Sequence, residues 1–298
     1  MFLKDYEKIN FIALHNNNQK EKNNYMKYRY LFFLLISFQI HVQAQLPSAA
    51  NGKWATVNGK KIYYEESGSG MPLLLIHGFG ATAAIWDAYT KEFSKTYRVI
   101  AVDMPGHGRS DYMDTTNVYL HKKAAEYIIG LLDQLSIDST HIMGISSGGF
   151  ISLYITTMRP QLAKKIVVIG GQVYFSATTR NVITSKGGPD TSSNMIKTHG
   201  KEKGHLLARQ FWNFRKLYGD PSFTPDVLST LKAVSLIVHG DNDPIAPVSN
   251  ALEMYKYIPK AYLWVIPNGG HVPIRIKKNE GDFIRRSLEF LRGEWERK

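Results

Sequence analysis

The chain has 298 residues, 44% of them hydrophobic and 21% charged, which is enough apolar material to bury a sizeable core and excludes a disordered or fibrous protein. It contains no cysteine, so disulfides, a thiol nucleophile and lipid attachment through sulfur are excluded, and a zinc site has little support. The formal charge of +12 comes without aromatic-basic interleaving or a nucleic-acid motif, so no nucleic-acid partner is expected, and weak attraction to an anionic surface or substrate is the most it supports.

Residues 1–25 are polar and rich in Asn and Lys. From Met26 the chain turns basic at Lys27 and Arg29, runs apolar from Leu31 to Ile40 and ends in Val42-Gln43-Ala44. That order reads as a signal peptide, with a start at Met26 and cleavage after Ala44. The apolar run is too short for a bilayer core of about 30 Å, so no stable membrane anchor is expected. The expectation is an exported protein, periplasmic or secreted, whose mature part (45–298) is one α/β domain with no cofactor or metal.

Segments 53–57 and 61–66 flank Asn58-Gly59, a strong short hairpin signal, and form an antiparallel sheet edge. Apolar runs at 73–76, 98–102, 140–143, 165–169, 235–238 and 261–266 read as buried parallel strands, with helical patterns at 120–135 and 281–291 among those between them. Such alternation specifies a mostly parallel, doubly wound sheet with reactive loops at the strands' carboxyl ends. It breaks at 172–228, which reads as an inserted small helical cap. Its first half, 177–204, is rich in Ser, Thr, Gly and Lys and reads as mobile. Its second, 205–214, reads as an aromatic helix that puts Phe211 and Phe214 on the wall of a pocket, or packs them as core.

Gly144-Ile145-Ser146-Ser147-Gly148 stands where the strand at 140–143 gives way to a helical pattern from Phe150. A serine hydroxyl projects from such a junction only if the backbone turns sharply, and glycines two positions either way remove the Cβ atoms that would collide. Serine is a poor nucleophile alone, so this reading demands a histidine base and an acid that orients it, both on loops after later strands. His271, in Gly269-Gly270-His271, is the base candidate; Asp241 and Asp243, after the strand at 235–238, compete for the acid.

With His77-Gly78-Phe79-Gly80 and Asp103-Met104-Pro105-Gly106-His107-Gly108-Arg109-Ser110 upstream, these landmarks make the chain similar to the α/β-hydrolase superfamily over roughly 52–295. The resemblance implies an α/β-hydrolase fold and selects Asp243, three residues after Gly240, as the acid. It implies catalysis by Ser146, His271 and Asp243, with the main-chain N–H groups of Phe79 and Ser147 as the oxyanion hole and the Phe79 side chain lining the acyl pocket. His77 is implied as a brace of the oxyanion loop and His107 as a turn residue near the cleft. Asp103 and Arg109 read as holding that turn, and His239 as a packed strand-end residue.

The expected function is acyl-enzyme hydrolysis of a small or medium carboxylic ester, a small molecule being the partner. A carbon–carbon bond hydrolase or a perhydrolase keeps the same triad, and a non-hydrolytic ligand receptor on this scaffold is the alternative of another class. Ser146 argues against epoxide hydrolases and haloalkane dehalogenases, which carry aspartate at that position.

Overall fold

Asn58 and Gly59 take positive φ values of 48° and 73°, the backbone a two-residue hairpin loop needs to match strand twist. They join β1 (Gly52–Val57) to β2 (Lys60–Ser67), with Val57 paired to Lys60 across the turn. The structure, a computed structural model, describes residues 52–113, 117–190 and 194–296. The expectations placed on 1–51, namely the start at Met26, the leader and the cleavage after Ala44, lie outside the described residues.

The other strands are β3 (Pro72–Ile76), β4 (Arg98–Val102), β5 (Thr140–Ile145), β6 (Ala163–Ile169), β7 (Val234–Gly240) and β8 (Ala261–Ile266). They form one sheet in the order β1-β2-β4-β3-β5-β6-β7-β8, antiparallel at β1, β2 and β4 and parallel from β4 onward. From β3 the chain steps outward to β4 and then returns past β3 to β5. The winding therefore reverses between β3 and β5, and loops leaving their carboxyl ends diverge to open a crevice.

Alternation along the strands divides the core between the sheet's two faces. Leu74 and Ile76 of β3, Ile100 and Val102 of β4 and Ile142 of β5 join one cluster, with α2 (His121–Gln134), α3 (Ser147–Met158) and α8 (Val248–Tyr257). Leu73, Leu75, Val99, Ala101, Met143 and Ile145 point the other way, against Trp86, α1 (Asp87–Phe93) and α9 (Lys277–Arg292). The helices answer with apolar residues at i, i+3 and i+4 spacing: Ala124, Ala125, Ile128, Leu131 and Leu132 on α2, and Phe283 and Phe290 on α9. Each of these buried Ile, Leu and Phe side chains contributes about 1.5–3 kcal/mol relative to exposure, which fixes the framework that carries the loops.

Between β6 and β7 lie α4 (Ala177–Thr184), α5 (Asn194–His199), α6 (Lys201–Asn213), a 3-10 turn Phe214–Lys216 and α7 (Pro225–Ser229). The described residues of 177–204, a stretch read as mobile, are largely helical and tied to the body. Ser176 caps α4 by accepting from Thr179 N–H at 3.2 Å, and Thr179 Oγ1 lies 2.8 Å from the carbonyl of Ile245. Arg180 donates to the carbonyls of Phe214, Arg215 and Leu217 at 3.0, 3.0 and 2.7 Å. Among the described residues, no helix is long and apolar enough to cross a membrane.

Candidate active site

Ser146 occupies the single residue between β5 and α3, at φ 52° and ψ −113°, a conformation side chains rarely adopt. Its N–H donates to Ile169 O at 2.8 Å, which ties the turn to the end of β6. A Cβ on Gly144 would run into the carbonyl of Gly148, and one on Gly148 into the carbonyl of Ile76. The two glycines thus let a helix begin in contact with two strand ends, leaving the serine at the apex.

His271 follows β8 in a loop that passes directly over the end of β6. Gly170 there has φ 58°, and a Cβ would strike the carbonyl of His271. The loop brings His271 Nε2 to 2.9 Å from Ser146 Oγ and Nδ1 to 2.8 Å from Asp243 Oδ2. Asp243 is buried, and its Oδ1 accepts from the N–H groups of Ile245 and Ala246 at 2.8 and 2.9 Å. Burial alone would push this carboxyl up, but the His271 ring and those two main-chain donors outweigh it and hold it below the usual carboxylate range. Asp241 is exposed and outside this run of hydrogen bonds, so of the two candidate acids the structure brings only Asp243 to His271.

Gly78 lies against the serine: a Cβ built on it would be 3.5 Å from Ser146 Cβ. Among the described residues, the N–H groups of Phe79 and Ser147 make no hydrogen bond, whereas Gly149 and Phe150 already donate to Ser146 O. His77 accepts from Met104 N–H on Nε2 at 2.9 Å, and its Nδ1 is 2.7 Å from Gly78 O. Full burial pushes its pKa down to about 4, so a neutral ring with Nδ1–H donating braces the loop after β3. Asp103 holds the Gly106-His107-Gly108 turn by accepting from the N–H groups of Ala83 and Arg109 at 2.7 and 2.8 Å. The Arg109 guanidinium does not share that work; it lies over the Tyr63 ring, 4.3 Å from its centroid, and pairs with Glu65 at 3.4 Å. His239 is fully buried at its strand end, bonded through Nε2 to Ala246 O at 2.7 Å.

Phe79, Phe211 and Phe214 do meet. Ring centroids of Phe211 and Phe214 lie 5.8 and 5.0 Å from that of Phe79, and His107 is 4.7 Å away. Phe214 is 2% exposed and stacks on Phe175 at 4.7 Å, which makes it a packing residue, while Phe211 stays partly open. Contacts absent from any sequence pattern close the cap onto the site loops. His199 lies 2.9 Å from Gly80 O through Nε2 and accepts from Gly108 N–H through Nδ1 at 2.9 Å; Lys203 donates to Gly108 O and Ser110 O at 2.9 and 2.7 Å. Among the described residues no cluster could hold a metal ion. The chemistry this arrangement can perform is proton removal from Ser146 by His271 and attack on a carbonyl beside two unpaired N–H groups.

A family model described as "alpha/beta hydrolase fold" matches residues 71–226, and the chain belongs to that family. The match covers the elbow and stops short of Asp243 and His271. Among curated relatives, the (E)-2-((N-methylformamido)methylene)succinate hydrolase of Acinetobacter baylyi is 25% identical over 72% of this chain and 89% of its own length. The 2-hydroxy-6-oxo-6-phenylhexa-2,4-dienoate hydrolase of Burkholderia cepacia is 25% identical over 76% of this chain and 92% of its own. Among solved structures, a meta-cleavage product hydrolase from Pseudomonas fluorescens superposes with a TM-score of 0.65 at 24% identity, covering 81% of this chain and 98% of that one, a likeness of fold. Hydrolysis of small molecules is what these names share.

Proposed function

We propose that the protein is a serine hydrolase that breaks a carbon–carbon bond beside a ketone in a small unsaturated keto acid. The observation carrying the serine-hydrolase reading is the run from Asp243 through His271 to Ser146, with separations of 2.8 and 2.9 Å. The substrate class is supported by the chemistry in the Burkholderia relative's name. A 2-hydroxy-6-oxo-6-phenylhexa-2,4-dienoate has a carboxylate, an enol and a ketone but no ester or amide, so its hydrolysis must divide carbon from carbon.

In this reading His271 takes the Ser146 proton as Oγ adds to the ketone carbon, and Asp243 stabilises the imidazolium. Negative charge gathers on the former carbonyl oxygen, where the N–H groups of Phe79 and Ser147 offset it by about 3–4 kcal/mol per donor. With the substrate ketonised to its 2,6-dioxo form, the enol proton having moved to C5, collapse breaks the C5–C6 bond, whose electron pair spreads through the C3–C4 double bond onto the 2-oxo group, and a proton from His271 completes the leaving group. Water, deprotonated by His271, then cleaves the acyl-serine. Phe79 and Phe211 line the acyl side.

Cleavage of an ester or another acyl–heteroatom bond is the second reading. It needs the same steps with an easier leaving group, and the Acinetobacter relative's printed substrate carries a formamide. Purified protein is offered 2-hydroxy-6-oxo-6-phenylhexa-2,4-dienoate and p-nitrophenyl acetate, butyrate and octanoate. Loss of the dienolate absorbance, abolished by Ser146→Ala, supports the first reading. Ester turnover without it replaces the first by the second, and no labelling of Ser146 by a fluorophosphonate removes both.

We also infer export with cleavage after Ala44, on the order of basic, apolar and small residues from Met26 onward. Amino-terminal sequencing of exported material should begin at Gln45; a mature chain still carrying residues 27–40 overturns it.

A further inference from the structure

Beneath the elbow lies a second serine, histidine and aspartate that the proposed reaction does not use. Ser147 Oγ is 3.0 Å from His121 Nε2, and His121 Nδ1 faces Asp220 Oδ1 at 3.5 Å. All three residues are buried, with relative exposures of 3%, 0% and 6%, so this set is closed to substrate and cannot act as a second triad. Apart from each other, His121 Nδ1 and Asp220 Oδ1 find no partner among the described residues. The other carboxylate oxygen is engaged, accepting from Lys122 N–H at 3.2 Å.

An Nδ1 lone pair turned toward a carboxylate would be repelled, so a proton belongs on Nδ1. The nitrogen left facing the elbow is Nε2, and the Ser147 hydroxyl is engaged by it at 3.0 Å. Two consequences follow at the elbow. The hydroxyl next to the nucleophile is committed elsewhere and does not compete with Ser146 for His271. The side chain of Ser147 is also pinned, and with it the unpaired N–H three bonds from Oγ at the first position of α3.

The ring's apolar neighbours lead to the other donor. The His121 centroid lies 5.3 Å from that of Phe214, and Phe214 lies 5.0 Å from Phe79. Phe150, on α3 itself, is 5.0 Å from the same imidazole. His121 opens α2 and Asp220 lies between the 3-10 turn Phe214–Lys216 and α7, so the contact joins the cap's return to the base of the elbow.

We propose that His121 is a positioning residue for the oxyanion site, holding Ser147 and hence its main-chain N–H through the hydroxyl, with Asp220 orienting the ring. The proposal rests on the serine-hydrolase reading above but not on which bond is cleaved. A fluorophosphonate is the probe, because its P=O oxygen takes the oxyanion position as Ser146 attacks. Its labelling, followed by intact mass at several concentrations, separates reversible binding (KI) from the bond-forming step (kinact).

Ser147→Ala and His121→Ala should each lower kinact at least about tenfold with KI unchanged, since a misplaced donor is felt in the transition state rather than in binding. His121→Gln, which can still reach Ser147 with a polar atom, should recover most of the loss. A purely structural role would lower Tm but leave kinact per folded molecule intact, and would not distinguish Gln from Ala. If His121→Ala does not fold, Ser147→Ala removes the same hydrogen bond and leaves the ring packed. A kinact for Ser147→Ala within about twofold of the unaltered protein overturns the proposal, as does a Gln variant no better than Ala. Absence of Ser146 labelling in the unaltered protein would instead bring down the serine-hydrolase reading, and this inference with it.

Discussion

His239 Nε2 stands 3.5 Å from Asp243 Oδ2, the oxygen that His271 Nδ1 reaches at 2.8 Å, so two imidazoles converge on one buried carboxylate. They do not share it equally. His239 Nε2 lies closer to Ala246 O, at 2.7 Å, and burial pushes its pKa down, leaving it neutral with that nitrogen donating to the carbonyl. The same turn supplies the Ala246 N–H that Asp243 accepts, so His239 shapes the cradle of the carboxylate that His271 faces.

That division gives a direct test of which aspartate works. Asp243→Asn keeps the shape but loses the charge that fixes the His271 tautomer, and should lower kcat at least about a thousandfold. Asp241→Asn alters an exposed side chain outside the network and should stay within about twofold. Steady-state rates on whichever substrate the protein turns over decide it; equal losses would overturn the assignment of the acid.

Acid stability follows from the buried histidines. Burial pushes His77, His141 and His199 each down to about 4, while the unfolded chain protonates near the ordinary value of 6.5. Between those values the unfolded chain holds more protons, so stability should fall as pH drops from about 6.5 toward 4. Asp243, held low in the folded chain, adds a loss at the acid end, below the ordinary carboxylate pKa. Tm measured across this range should decline, and His77→Gln should show a shallower decline from a lower starting Tm. A flat Tm from pH 7 to 5 would contradict the buried neutral rings.

The elbow makes its own demand on sequence. Gly148→Ala would press a methyl into the carbonyl of Ile76, between backbone segments that have no flexible end to move. It should cost about 3 kcal/mol or more by denaturant unfolding, beyond the usual helix gain of Ala over Gly. A variant of unchanged stability would mean that the junction can widen.

What the chain revealed in advance follows from how local each constraint is. The elbow was legible because its geometry forbids Cβ atoms at fixed offsets from Ser146, and the Asn58-Gly59 hairpin because both residues need positive φ. His271 was legible because a doubly wound sheet puts reactive side chains at strand ends. The helices at 177–184 and 194–199 were not, since their own composition is polar and what fixes them is contact with the body: Thr179 on Ile245, His199 on Gly80 and Gly108. The His121 and Asp220 pair, joined across residues far apart in sequence, leaves no spacing signature at all.

Phe211 and Phe214, read together as pocket wall, should separate on mutation. Phe214 is fully enclosed by Phe79, Phe175 and His121, so Phe214→Ala should cost about 3–5 kcal/mol of stability and loosen the cap as a whole. Phe211 is only partly buried, with its centroid 5.8 Å from Phe79 and the Lys186 ammonium 5.5 Å from its ring. Phe211→Ala should therefore lower Tm less and instead raise KM for substrates whose apolar group lies against it, with kcat near that of the unaltered protein. Steady-state kinetics across p-nitrophenyl acetate, butyrate and octanoate, or across dienoates differing at the 6-substituent, would read this as a change in size preference. If Phe211→Ala leaves that preference unaltered while Phe214→Ala shifts it without loss of Tm, the wall and packing roles are reversed.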